Sequence, residues 1–183
     1  MINITIDENA LKSAAVLFAD TPKEVQKAAS AAVNRTITRL RKESSVTIRK
    51  EYIVKAATIK KAFNLKKANS NRTTGMLMAK GSPLRLSDFK LARPKHSAIK
   101  VQVRKDGGLK PIKGLFINLH KGLLQRTTRT AYPLRVPYGP SVPQMFGNEK
   151  TLEALAPLAE KILNERFLHE VQYRYEKIYG GTL

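Results

Sequence analysis

The side chains best equipped for chemistry in this chain are its cations. Lys and Arg number 34 against 14 Asp and Glu, a formal charge of +20 over 183 residues. Between Glu51 and Glu149 the only acids are Asp88 and Asp106, while basic residues recur from Lys55 through Arg135. A field of one sign this dense works against the compact state and belongs with proteins that meet a polyanion or an acidic protein surface. Arg35, Arg39, Lys60, Lys61, Lys66 and Lys67 are the residues predicted to face that partner. A solvated helix face is the plainer alternative, but such faces mix signs and this stretch does not.

Other chemistries leave no comparable pattern. His96, His120 and His169 lie far apart, without a helical i,i+4 partner or a nearby carboxylate, so no metal is expected. There is no Gly-x-Ser-x-Gly elbow and no glycine-rich phosphate loop before a Lys-Ser/Thr pair. Scarce acids in the middle of the chain argue against two-metal phosphoryl chemistry, which needs clustered carboxylates. The chain has no cysteine, hence no thiolate site and no disulfide, which fits a reducing compartment. No catalytic residue and no cofactor is predicted. No helix-turn-helix, zinc finger or pair of stacking aromatics appears either, so any nucleic-acid contact should run through phosphates, independent of sequence.

The elements that must carry these cations can be read from periodicity. Hydrophobic residues make up 42% of the chain, enough for a folded body, and the length suits one domain over 1–183. Ile2, Ile4 and Ile6 alternate with polar residues, as in a half-buried strand. Leu11, Ala14, Ala15 and Phe18 share a helical face over 9–19. Thr21-Pro22-Lys23-Glu24 reads as a capping box with Pro at the first helical position. The helix it opens, with Ala28, Ala29, Ala32, Val33, Ile37 and Leu40 in its seam, should run to about residue 50. A basic amphipathic helix follows over about 55–67, completing a helical part of about 8–67.

From about 72 to 147 the pattern turns to a β meander with a Pro-rich arm. Strands are predicted over 74–80, 84–91 and 97–104, a hairpin turn at Lys105-Asp106-Gly107-Gly108, and a run through Leu115-Phe116-Ile117 that pairs back on the preceding strand. Lys121-Gly122 makes another turn, before a strand over 123–129. Pro133, Pro137, Pro140 and Pro143 make 132–146 a loop or surface arm. A last helix is expected over about 150–179, started or kinked by Pro157, with Leu155, Leu158, Ile162, Leu168, Val171, Tyr175 and Ile178 on its apolar side. The fold class is therefore α+β: a long N-terminal helix on an antiparallel meander, with a C-terminal helix. The opening residues lack the pattern of a signal peptide and no stretch approaches the ~18 apolar residues of a membrane span, so the expectation is a soluble protein used inside a cell, without a membrane partner.

The order of several short motifs carries a resemblance. Gly114-Leu115-Phe116-Ile117, Lys121-Gly122, Gln125-Arg126, Tyr132-Pro133-Leu134 and Val136-Pro137, with the arm to Met145-Phe146, follow an Ala-rich helix that reaches Asn34-Arg35 and continues through Ser44-Ser45. Over roughly 25–175 this resembles the prophage minor tail protein Z family, the tail completion proteins of long-tailed phages. The resemblance implies a structural minor tail protein acting in tail completion and head–tail joining at the head-proximal end of the tail. It implies a small α+β subunit that assembles into a homo-oligomeric ring, present in the host cytoplasm during assembly and then in the virion tail. Its partners would be neck and tail proteins such as the tail terminator, tail tube or tape measure, and its basic face would meet DNA or an acidic neighbour.

In that setting Phe116 and Ile117 are core or interface anchors, and Tyr132, Pro133, Tyr138, Met145 and Phe146 form either a docking arm or a loop folded over its own sheet. A sequence-independent nucleic-acid-binding protein is the alternative function. A nuclease or toxin would also suit the charge and size but lacks its carboxylate and histidine constellation.

Overall fold

The computed structural model describes residues 2–94, 98–120 and 122–180. His96, the Ser97 start of one predicted strand, and Lys121 of one predicted turn lie outside the described residues. In chain order the elements are β1 (Ile2–Ile4), α1 (Glu8–Leu17), α2 (Pro22–Glu51), α3 (Ala56–Ala62), β2 (Phe63–Lys66), β3 (Gly75–Ala79), β4 (Pro83–Arg85), a 3-10 turn (Leu86–Asp88) and β5 (Lys90–Ala92). They continue with β6 (Lys100–Gln102), β7 (Lys110–Pro111), β8 (Leu115–Asn118), β9 (Gly122–Arg126), β10 (Leu134–Arg135), β11 (Tyr138–Ser141), α4 (Val142–Phe146) and α5 (Glu149–Tyr179). The architecture is mixed α+β, comprising a long N-terminal helix, antiparallel sheets and a long C-terminal helix. None of the described helices is long and apolar enough to cross a membrane.

These elements sort into two compact units that interleave along the chain. The first takes the chain up to Ser44, Phe63–Ala79 and everything from Glu149; the second takes Ser45–Ala62 and Lys80–Asn148.

In the first unit one core gathers Ala14 of α1 and Phe18 just past its end, Val25, Ala28, Ala29 and Ala32 of α2, and Phe167 and Val171 of α5. Alanines on the shared side of α2 let the neighbouring helices approach closely, and the Phe18 and Tyr175 rings meet edge to face at 6.3 Å. Val33 and Ile37 point from α2 to the sheet ordered β1-β3-β2, with register Ile4 to Gly75 and Leu65 to Leu77. Only glycine fits at position 75. A Cβ there would lie 2.2 Å from Ile37 Cδ1 and 2.6 Å from Val33 Cγ1.

The second unit builds three small sheets, ordered β10-β9-β8, β5-β6-β7 and β11-β4. Its buried residues include Ile48, Tyr52, Ile59, Phe89, Val101, Leu124, Val142, Met145 and Phe146. Tyr52 bridges to Arg104, whose guanidinium lies 5.4 Å from the Tyr52 ring centroid and 3.3 Å from Glu51.

Several expectations need correction. The helical part does not reach 67: α3 ends at Ala62, and Phe63 to Lys66 pair with β3 as β2. Their alternation of buried and exposed side chains fits a strand, whereas the helical spacing of Ala56, Ile59, Ala62 and Phe63 holds only up to the end of α3. The single meander is instead four small sheets, because prolines remove ladder donors and glycines turn the chain after a few residues. Leu115 to Asn118 pair with β9 rather than back on β6, whose free edge is taken by β7. The capping box at Thr21 does not form: Thr21 Oγ1 is buried without a hydrogen-bond partner, and Glu24 turns to Lys27 and Arg174 instead. A full capping box stands at Ser141 and Gln144, opening α4 inside the region read as an irregular arm. Pro157 sits within α5, which continues through it, and the buried stripe uses Leu163 and Phe167 while Leu168 is exposed.

Candidate functional site

In the first unit, α2 presents Arg35, Arg39 and Lys42 at spacings of four and three residues, so all three fall on one side of the helix. They line an open groove of about 510 Å³ with Asn34 and Thr38 of the same helix, Lys67 just past β2, and Arg166 of α5. No apolar or aromatic residue is among those lining it.

Asn34 sets the groove's geometry. Its amide nitrogen donates to the carbonyl of Ala68 at 2.9 Å, and its carbonyl oxygen accepts from the Ala68 N–H at 2.8 Å. One side chain thus satisfies both backbone groups of a buried residue, as a neighbouring strand would, and fixes the chain beside Lys67. Thr38 is occupied within the helix, its hydroxyl donating to the backbone carbonyl of Asn34 at 2.9 Å.

Arg35 faces two ways. Its Nε lies 2.9 Å from Oε1 of Glu170, whose side chain is only 4% exposed, while more than half of the Arg35 side chain remains in solvent. The contact is an ion pair at that distance, but the N–H is not aimed along a hydrogen bond, so Oε1 keeps no hydrogen-bonding partner. Burying that carboxylate is costly without a cation beside it, and Arg35 supplies one. Arg39, Lys42, Lys67 and Arg166 have no carboxylate within ion-pair distance among the described residues. Lower on the same helix, Glu24 pairs with Lys27 and with Arg174 of α5, each at 2.6 Å. The Lys27 hydrogen bond, outweighing the opposing effect of burial and joined by Arg174, holds the Glu24 carboxyl below its ordinary value.

Of the six cations predicted to face a polyanion, the structure gathers Arg35, Arg39 and Lys67 in this groove. Lys66 is exposed on β2, opposite Met76 in register, and does not line it. Lys60 and Lys61 belong to α3 in the second unit, where Lys61 borders a separate depression with Lys80, Arg85 and Asp88. Lys42 and Arg166 complete the groove without having been singled out. Helical spacing from Arg39 would have found Lys42; Arg166 lies more than a hundred residues away and gives no local signal.

The predicted interface residues divide. Ile117 is exposed on β8 and Leu119 just beyond it is 97% exposed. Phe116 is half-buried under the Arg126 guanidinium, 5.0 Å from the ring centroid. Gly114, which precedes this run, has φ +74°, and a Cβ there would meet the Arg126 carbonyl oxygen at 2.8 Å. Tyr132, joined to Pro133 by a cis peptide, is 74% exposed, and Tyr138 is exposed on β11. Met145 and Phe146 are not interface residues in this fold: both are fully buried, on the inner side of α4. Their helix packs beside α3, so what read as the end of an arm is core.

Among the described residues no three of His, Asp and Glu come together in a way that would hold a metal. No family model, no curated protein and no solved structure matches this chain.

Proposed function

We propose that this chain is a structural minor tail protein of a long-tailed phage or prophage, acting in tail completion and head–tail joining at the head-proximal end of the tail. The observation that carries the reading is the ordered set of motifs, whose residues hold positions that tolerate few substitutes. Asn34 clamps Ala68 through two hydrogen bonds, Arg35 compensates the buried Glu170, and Gly114 occupies a left-handed position against the Arg126 carbonyl.

The distribution of surface supports the same reading. In the second unit, Ile117 and Leu119 lie at one end of the β10-β9-β8 sheet and Tyr132 at the other, so exposed apolar side chains stand at both ends of this sheet. A ring subunit needs two different contact surfaces, one for each neighbour. The chain is then a non-enzymatic component, built in the host cytoplasm and resident in the virion tail, with tail terminator, tail tube or tape measure as neighbours.

The test is a nuclease-treated pull-down of the tagged protein from lysate of an induced lysogen that carries this sequence. Recovery of tail terminator or tail tube protein is expected. Recovery of ribosomal or nucleoid material alone, lost on nuclease treatment, would remove the tail assignment and leave a sequence-independent nucleic-acid-binding protein, which the basic groove favours.

A further inference from the structure

We infer that the groove between α2, the chain after β2, and α5 is a binding site for the phosphodiester backbone of double-stranded nucleic acid, read by charge and not by base. This inference stands on the first unit alone and does not require the tail assignment.

The choice between a nucleic acid and an acidic protein follows from what lines the groove. Arg39, Lys42, Lys67 and Arg166 bring four cations without carboxylate partners among the described residues, and Arg35 adds a guanidinium more than half in solvent. Among the described residues the one acid paired with a groove cation is Glu170, buried behind Arg35. Protein interfaces are anchored by apolar or aromatic side chains seated in desolvated pockets, and this groove has none. A phosphate backbone asks for no such anchor. The missing aromatics also argue against single strands, whose non-specific binders stack bases on aromatic rings.

Spacing agrees. Arg35 to Lys42 spans roughly 10 Å of helix axis at ~1.5 Å per residue. Successive phosphates of one strand rise ~3.4 Å along the duplex axis and stand further apart through space because the backbone winds, so the stripe is long enough to meet neighbouring phosphates. Asn34 and Thr38, the uncharged polar residues beside the cations, are both engaged with backbone groups. Guanidinium forks from Arg39 and Arg166 suit phosphate oxygens, and the two lysines act as mobile point charges.

The experiment is fluorescence anisotropy of the full chain with two unrelated duplexes of about 20 base pairs, titrated between about 50 and 200 mM salt. Wild type should bind both duplexes equally, with log K falling linearly in log salt. The variant R39A/K42A/K67A should lose roughly ten- to a hundredfold in affinity and flatten the slope by about 2 to 3, at ~0.9 per phosphate contact. The variant K12A/K23A/K161A removes the same charge from exposed positions outside the groove and should keep most of the affinity. R39K/K42R/K67R, which keeps the charge, should bind within about threefold of wild type if phosphates are met as charges. Equal losses in the groove and control triples would overturn the site. So would displacement of the duplex by poly-glutamate at equal charge concentration, which would assign the groove to an acidic protein, or tighter binding of single strands.

Discussion

Asn34 and Arg35 are adjacent in sequence and line the same groove, but hold different partners: the backbone of Ala68 and the carboxylate of Glu170. Asn34→Ala removes both hydrogen bonds to Ala68 and leaves a buried N–H and carbonyl unmatched, which should cost about 1–3 kcal/mol in a urea titration. It should also weaken groove binding, because the segment bearing Lys67 loses its clamp. Glu24 makes a pH prediction. Its carboxyl sits below the ordinary value of 4.5 because Lys27 and Arg174 favour the charged form. A lowered folded-state value means a contribution present above the unfolded value and lost as pH falls through the folded one. Wild type should therefore exceed Glu24→Gln by no more than about 1 kcal/mol at neutral pH, this being a partly exposed pair, and the gap should close below the folded value. An unchanged gap at low pH would contradict this account of the pair. Met145 and Tyr132 separate core from surface. Met145→Ala should cost about 2–5 kcal/mol, whereas Tyr132→Ala should stay within about 0.5 kcal/mol of wild type. Thermal unfolding of the two variants reads the difference directly.

The α2 and β3 elements meet where β3 has no side chain. Gly75→Ala drives a methyl into Ile37 and Val33; the Ile37 tip can swing aside, but Val33 sits on a rigid helix, so about 1–3 kcal/mol of destabilisation is expected by circular dichroism melting. Long elements were legible in the sequence for a physical reason. In α1 and α2, helical periodicity and the direction of packing agree, and bounds predicted from spacing fall within a residue or two of those found. Short strands were less legible, since β7 and β10 have two residues each and owe their pairing to distant partners. The α3–β2 boundary falls in a Lys-rich run whose local composition suits either state, and only β3 decides it. Half of the predicted cationic set reached the groove, namely the part on or beside α2. Arg166 was invisible because only the packing of α5 brings it there. The Ser141–Gln144 capping box was present in the residues but masked by prolines around it.

Across the whole molecule, cations and exposed apolar side chains occur on both units. The basic groove belongs to the first, where Val16, Leu168 and Tyr173 are also exposed; the second exposes Ile117, Leu119, Tyr132 and Tyr138 and carries Lys61, Lys80 and Arg85 around one depression. A tail component at the head-proximal end has use for both, with cations for the DNA that enters and an apolar surface for protein neighbours. The central claim is that this chain is built into tails. Electron microscopy of purified tails, from an induced culture in which the chain carries a small epitope tag, tests it most directly. Antibody-gold should label the head-proximal end, and a Tyr132→Ala, Ile117→Ala variant that folds normally should be missing from the particles. Tails that carry no label, with the tagged chain recovered only in the free or nucleic-acid-bound fraction, would contradict the account.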